Sequence, residues 1–271
     1  MKFRRVTLPQ VRSPAVAGMF YPANPAELRT MVEQMIGDVD PAIAAESPPK
    51  AIIAPHAGYI YSGPVAASAY ASLRQVSSVI SRVVLLGPAH RVPVHGLALP
   101  SSDAFATPLG KVAIDREAVA QIRGLPQVRV FDDAHALEHS LEVHLPFLQS
   151  VLDEFQLVPL VVGDATAEEV AEVLEQLWGG PETLIVISSD LSHYHDYQTA
   201  QQMDQATSSA IEHLAFEDIH YEQACGRKPV SGLLLLARKH GLQGKTIDLR
   251  NSGDTAGPRD QVVGYGAYVF H

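Results

Sequence analysis

Three short apolar runs in this chain each end at a histidine, and that repetition restricts the fold more than any other feature of the sequence. Ala51–Gly63 starts apolar and β-branched, passes through Pro55 into His56, and reaches Gly63-Pro64 ahead of an alanine-rich helical pattern. Arg82–Leu86 runs into Gly87-Pro88-Ala89-His90, and Thr183–Ile187 runs into Ser188-Ser189-Asp190-Leu191-Ser192-His193. Runs of this length and composition are buried strands, and each histidine sits where a strand gives way to a loop. In open α/β sheets ligands bind at the carboxyl ends of the strands. If the three strands are parallel neighbours, their imidazoles converge on one edge of the sheet.

The segments between these runs fit that layout. Asn24-Pro25-Ala26-Glu27 is a helix start, with the asparagine as cap and the proline in the first turn. Leu28, Met31, Val32, Met35 and Ile36 follow at helical spacing and mark a core face. Asp38–Lys50, with three prolines, is expected to be a surface loop, and Pro64 to open a helix through Leu73. A strand, a helix and a second strand in succession predict a right-handed crossover between parallel strands. Ser101–Gly110 reads as a loop that carries Phe105 and Pro108 near the mouth of the site. Asp115 caps a short helix, Leu157–Val162 is another buried strand, and Thr166-x-x-Glu169 is a capping box. Asp196–Leu214 forms a long helix, Pro229 opens another that Gly241 closes, and Thr246–Leu249 and Val262–Phe270 are strands. The expected architecture is a three-layer α/β domain over residues 1–271, with a largely parallel or mixed central sheet flanked by helices.

Composition narrows the function. The 271 residues, 46% hydrophobic, suffice for one large core, and no Pro/Gly/Ser-rich linker divides them. A formal net charge of -10 argues against nucleic acid. Apolar runs such as Leu233–Ala237 are too short to span a bilayer, and Met1–Arg5 lacks an apolar signal core, so a cytoplasmic protein without a membrane partner is expected. The single cysteine, Cys225, excludes an internal disulfide framework and is either inert packing, a reactive thiol or a metal ligand.

Imidazole is the commonest biological metal ligand, and a loop histidine otherwise simply hydrogen-bonds the backbone. His56, His90 and His193, each following a like strand, favour the first alternative. Gly226, Arg227, Lys228 and the helix start that follows should stabilise a thiolate at Cys225. Asp190 and His193 form either a cap beside a surface histidine or a carboxylate that tunes a proton-transferring imidazole. Glu138, His139, Glu142 and His144 read as a hydrogen-bonded helix start, with a supporting role behind His56 or His90 as the alternative. They do not match the His-Glu-x-x-His zinc helix, and no Gly-x-Gly-x-x-Gly, P-loop or Gly-x-Ser-x-Gly motif is present.

Taken together, Val16-Ala-Gly-x-Phe-Tyr-Pro22, Pro55-His-Ala-Gly-Tyr-x-Tyr-Ser-Gly63, Gly87-Pro-x-His90, Glu138-His-Ser-Leu-Glu-Val-His-Leu-Pro-Phe-Leu148, Ser188-Ser-Asp-Leu-Ser-His193 and Cys225-Gly226 resemble the Memo-like family. Its prokaryotic members are known as AmmeMemoRadiSam system protein B. The resemblance implies a fold like that of the class III extradiol dioxygenases. It implies metal ligands at His56, His90 and Cys225, and catalytic roles for His193 and Asp190 in the same pocket. Tyr59, Tyr61, His139 and Glu142 are expected to line that pocket or support it. The metal is expected to be a divalent or cuprous ion, iron or copper first and zinc next, since a thiolate softens the site. Arg227-Lys228 departs from the smaller residues common in prokaryotic members and makes the pocket rim more basic.

Two functions of different class follow from that resemblance. One is a metal-dependent redox enzyme acting on a small cyclic or aromatic substrate. The other is a non-catalytic protein that holds copper or iron, or a peptide or partner, in the old pocket. A zinc hydrolase using Glu142 as base is a third. The family name also implies association with a radical SAM protein and an AMMECR-like protein.

Overall fold

The computed structural model describes residues 10–44 and 47–271, so Met1–Arg5 and part of the loop before Lys50 lie outside the described residues. Among the described residues there are twelve strands: β1 (Val11–Arg12), β2 (Ala51–Ala54), β3 (Arg82–Pro88), β4 (Leu97–Leu99), β5 (Ala104–Thr107), β6 (Gly110–Ala113), β7 (Val128–Val130), β8 (Gln156–Val162), β9 (Thr183–Ser188), β10 (His193–His195), β11 (Gly244–Asn251) and β12 (Val262–Phe270). The helices are α1 (Pro25–Gly37), α2 (Pro41–Ala44), α3 (Tyr59–Ala71), α4 (Arg116–Ile122), α5 (Asp133–Ala136), α6 (Leu145–Val151), α7 (Ala167–Gln176), α8 (Tyr197–Glu212) and α9 (Arg227–His240).

The main sheet is mixed and runs β10-β12-β2-β9-β3-β8-β4-β7, with β11 also paired to β12. Its centre, β2-β9-β3-β8, is parallel throughout. The three strands that deliver histidines are therefore immediate neighbours, with β9 between β2 and β3. Their carboxyl ends are level, since Ala54 pairs with Ser188 and Leu86 with Ile187. Val83, Val84, Leu85 and Leu86 are fully buried, and each such side chain contributes roughly 1.5–3 kcal/mol relative to exposure. A continuous apolar run of this kind requires cover on both faces. Helices α1, α3 and α6 pack together, α3 lying on β2, β11 and β12, while α9 packs with α7 on β3 and β9. Among the described residues, no helix is long and apolar enough to cross a membrane.

Helix ends follow their capping chemistry. Asn24 accepts from the amides of Ala26 and Glu27, Thr166 and Glu169 form a reciprocal capping box, and Asp196 caps α8. Gly241, at φ 70°, closes α9 in the left-handed region.

Three expectations need correction. Helix α3 starts at Tyr59, five residues ahead of Pro64, and carries the proline inside it. Burial of Val65, Ala66, Ala67, Ala69 and Tyr70 along the helix outweighs the one backbone bond the ring removes. Within the supposed loop before Lys50, Pro41–Ala44 makes a helical turn. The supposed loop 101–110 contains β5 and the start of β6, an antiparallel hairpin that pairs with β1 in a separate three-stranded sheet. Phe105 alternates inward there, 1% exposed and edge-on to His135, and belongs to the core rather than to a site mouth.

Candidate metal centre

Strand β2 hands the chain through Pro55 to His56, which is 2% exposed. Ser188, the last residue of the neighbouring β9, lies with its hydroxyl 2.6 Å from His56 Nδ1. That hydroxyl donates to the Ser140 carbonyl at 2.6 Å, so its single proton is used and it accepts from His56. Nδ1 of His56 therefore carries hydrogen, and Nε2 keeps its lone pair on the side facing Cys225.

His90, past the end of β3, is held in the same way by a different partner. The Glu138 carboxylate accepts from its backbone amide at 2.6 Å and from Nδ1 at 2.9 Å, again leaving Nε2 free. Glu138 also accepts from the amides of His139 and Ser140, each at 3.0 Å. Burial works to raise this carboxyl, but the donors from His90 and Ser140 outweigh it and hold it at about 2. A carboxylate behind a histidine fixes the ring and raises the basicity of its outer nitrogen.

His139 completes the group. Its ring stacks on His90 with centroids 4.7 Å apart and stands edge-on to His56 at 5.5 Å. Phe20, from the N-terminal arm, covers it at 4.8 Å. One nitrogen from each of His56, His90 and His139 lies within 4.8 Å of the others, so the three could hold a metal ion. Burial depresses His139 to about 4 and His56 well below its ordinary value, with the neighbouring histidines adding to the effect on His56. The backs of His56 and His90 are hydrogen-bonded by protein partners, whereas His139 Nδ1 is 3.4 Å from Glu138 without a hydrogen bond. Neutral, oriented imidazoles are the form that binds metal, and the donor set suits zinc, iron or copper.

Cys225 approaches from the start of α9. Its Sγ is 3.4 Å from His56 Nε2 and 3.7 Å from the Asp190 carbonyl. Gly226 makes this approach possible, because a Cβ there would meet the Ser188 carbonyl at 2.4 Å. The expectation of a ready thiolate is reversed: burial pushes the thiol up, and the Asp190 carboxylate adds to the push. Burial thus favours the thiol over the thiolate, despite Arg227 and Lys228 following in sequence.

The other expected residues divide. Asp190 is buried at the site, but it accepts from the His56 amide at 2.7 Å, with its other oxygen 3.9 Å from His56 Nε2. His193 bonds the Leu191 carbonyl through Nδ1 at 2.8 Å, so Asp190 holds the His56 backbone directly and acts on His193 through charge alone. Tyr59 is core, its hydroxyl donating to the Val143 carbonyl at 2.6 Å and its ring against Phe147 and Tyr21. Tyr61 is 37% exposed. Glu142 is fully buried beneath the N-terminal arm, where it accepts from Arg12, Tyr21 and the amides of Ala15 and Val16. Its carboxylate is spent on the arm and is not placed to activate a water. His144 is buried against the Tyr70 hydroxyl.

Next to the histidine group is a cleft of about 660 Å³, lined by His90, His193, His195, Cys225, Arg227 and Lys228 among others. Its size falls within the range of small-ligand sites. Tyr194, between the two cleft histidines, has φ 61°, and its ring is 5.8 Å from that of His193. A tyrosine in the left-handed region is strained, and such strain gathers at functional sites. Sequence reasoning passed over Ser188 as a holder of the rings, and offered Glu138 in that role only as the alternative to a hydrogen-bonded helix start. The signal for Glu138 was its place directly before His139, in a segment dense with ionisable groups.

Comparison with known proteins agrees over the length of the chain. A family model described as Memo-like protein matches residues 12–269. A MEMO1 family protein of Aquifex aeolicus is 38% identical over 272 residues, spanning 96% of this chain and 99% of its own. One from Methanopyrus kandleri is 38% identical over 284 residues, spanning 96% and 98%. Among solved structures, an uncharacterized protein of Escherichia coli K12 aligns with a TM-score of 0.48 at 13% identity, over 81% of this chain and 98% of that one.

Proposed function

This chain belongs to the Memo-like family, and on that premise we propose that it is a metal-binding protein whose histidine centre serves a non-haem redox reaction on a small cyclic or aromatic substrate. The observation that carries the reading is the meeting of His56, His90 and His139 nitrogens within 4.8 Å, beside a cleft that His90 also lines. A divalent or cuprous ion held there would supply Lewis acidity and, for iron or copper, electron transfer. The protein's own groups do the remaining work. Ser188 and Glu138 orient His56 and His90, and Phe20 closes one side of His139 against water. His193, with Nδ1 bonded to a carbonyl, offers Nε2 as the acceptor for a proton from a ligand hydroxyl in the cleft. Cys225, with Sγ 3.4 Å from His56 Nε2, would be a fourth donor on giving up its proton.

The sulfur also favours a second reading, in which the site holds cuprous copper without turnover. Association with a radical SAM protein and an AMMECR-like protein belongs to the same proposal.

Elemental analysis after anaerobic purification tests the centre. Near-stoichiometric iron in the wild type, lost in His56→Ala, His90→Ala and His139→Ala, together with oxygen uptake on a catechol panel, supports the redox enzyme. His193→Ala should then lower turnover and keep the metal. Tight cuprous binding without oxygen uptake moves the assignment to metal handling, and absence of every metal overturns both.

A further inference from the structure

We infer that the cleft beside the histidine centre takes a small anionic ligand, carrying a carboxylate or a phosphate, and that Arg227 is the residue that grips it. This deepens the reading of the cleft as a ligand site and rests on that reading for its location.

The argument begins with how the chain uses arginine. In a protein of net charge -10, most buried or half-buried guanidinium groups find a carboxylate. Arg12, Arg82, Arg116, Arg238, Arg250 and Arg259 each pair with one. Among the described residues, those left without a carboxylate are exposed, with Arg227 as the exception. It is half-buried, lines the cleft, and has no carboxylate partner among the described residues. A partly desolvated, permanently charged guanidinium with its donors unused is a planar fork that matches a carboxylate or a phosphate.

The surroundings reinforce it. Lys228 lines the same cleft, and its one acidic neighbour, Asp164 at 3.4 Å, is 78% exposed, so that pair is weak and screened by salt. Against these two cations the cleft lining carries a single carboxylate, Glu222. The guanidinium carbon of Arg227 is 5.7 Å from the centroid of the Tyr221 ring, and Tyr221 is 81% exposed. That ring holds the guanidinium in place and presents its face to a planar ligand. A cationic patch facing the histidine centre, on an acidic protein, selects against neutral ligands as well as for anionic ones.

Isothermal titration calorimetry on the full chain tests this, with benzoate and phenyl phosphate as probes and benzyl alcohol as the uncharged control. Each titration is run on metal-loaded and on metal-stripped protein. One anion or both should bind at least tenfold more tightly than benzyl alcohol. Arg227→Gln should weaken the bound anion tenfold or more and leave benzyl alcohol unchanged, Arg227→Lys should recover part of the loss, and added salt should weaken binding to the wild type. Which anion binds better separates carboxylate from phosphate. Equal affinity for the alcohol, no binding of either anion at millimolar concentration, or an Arg227→Gln affinity within twofold of wild type overturns the inference. Anion binding confined to the metal-loaded protein and indifferent to Arg227 also overturns it while sparing the metal reading. Arg227-dependent binding in a chain that takes up no metal does the reverse.

Discussion

Glu138 and Glu142 stand four residues apart, are both buried, and both collect four hydrogen bonds, yet they serve different parts of the molecule. Glu142 gathers Arg12, the Tyr21 hydroxyl and the amides of Ala15 and Val16, and so ties the N-terminal arm to the body. Glu138 gathers three backbone amides and the Nδ1 of His90. The difference lies in the partner. The groups on Glu142 lead no further than the arm and, through Arg12, the backbone carbonyls of His135 and Glu138, whereas the imidazole on Glu138 has a second nitrogen that passes the carboxylate's influence on to the histidine centre. A buried carboxylate is structural or functional according to what its donor does with its other side.

The comparison breaks most visibly at Glu142. Glu142→Gln leaves the buried Arg12 guanidinium uncompensated and should cost about 3–5 kcal/mol of stability. Chemical denaturation measures this, and a loss below about 1 kcal/mol would mean that the arm is held by other contacts.

Acid should act on the arm side too. His135, whose carbonyl accepts from Arg12, is 2% exposed, and burial holds its ring at about 4. As pH falls below the ordinary histidine value of 6.5, the unfolded chain takes a proton that the folded chain refuses, so stability declines until about pH 4. The decline from this one group is on the order of 3 kcal/mol. His135→Gln should therefore show a shallower fall in melting temperature between pH 6.5 and 4.5 than the wild type, and parallel curves would remove His135 from the account.

Glu138→Gln should show the opposite profile to Glu142→Gln. Metal affinity, read by chelator competition, should drop roughly 10–100-fold while stability moves less than in Glu142→Gln. If the two variants lose stability and affinity in the same proportion, the division of labour between them is wrong. The smallest effect is expected at Tyr194, on neither carboxylate. Relief of its φ of 61° in Tyr194→Gly should stabilise the fold by about 0.5–1 kcal/mol, and any accompanying fall in ligand affinity would show what the strain is for.

Much of this protein was legible along the chain. The buried strands, the caps at Asn24, Thr166 and Asp196, the glycine end at Gly241 and the family all follow from patterns a few residues long, because hydrophobic periodicity and capping are local chemistry. The delivery of His56 and His90 to one sheet edge was conditional on parallel neighbouring strands, which the pairing of β2, β9 and β3 supplies. What only the tertiary structure decided was the pairing of side chains distant in sequence. His139 joins the ring group from a loop, Glu138 turns to His90 and Glu142 to Arg12, and Tyr59 goes into the core. Burial, with the Asp190 carboxylate behind it, favours the thiol at Cys225 over the thiolate that the neighbouring cations in sequence suggested. Spacing fixes which residues share a face of one element. Which lone pair meets which proton across elements depends on packing, and burial then sets the charge each group can carry.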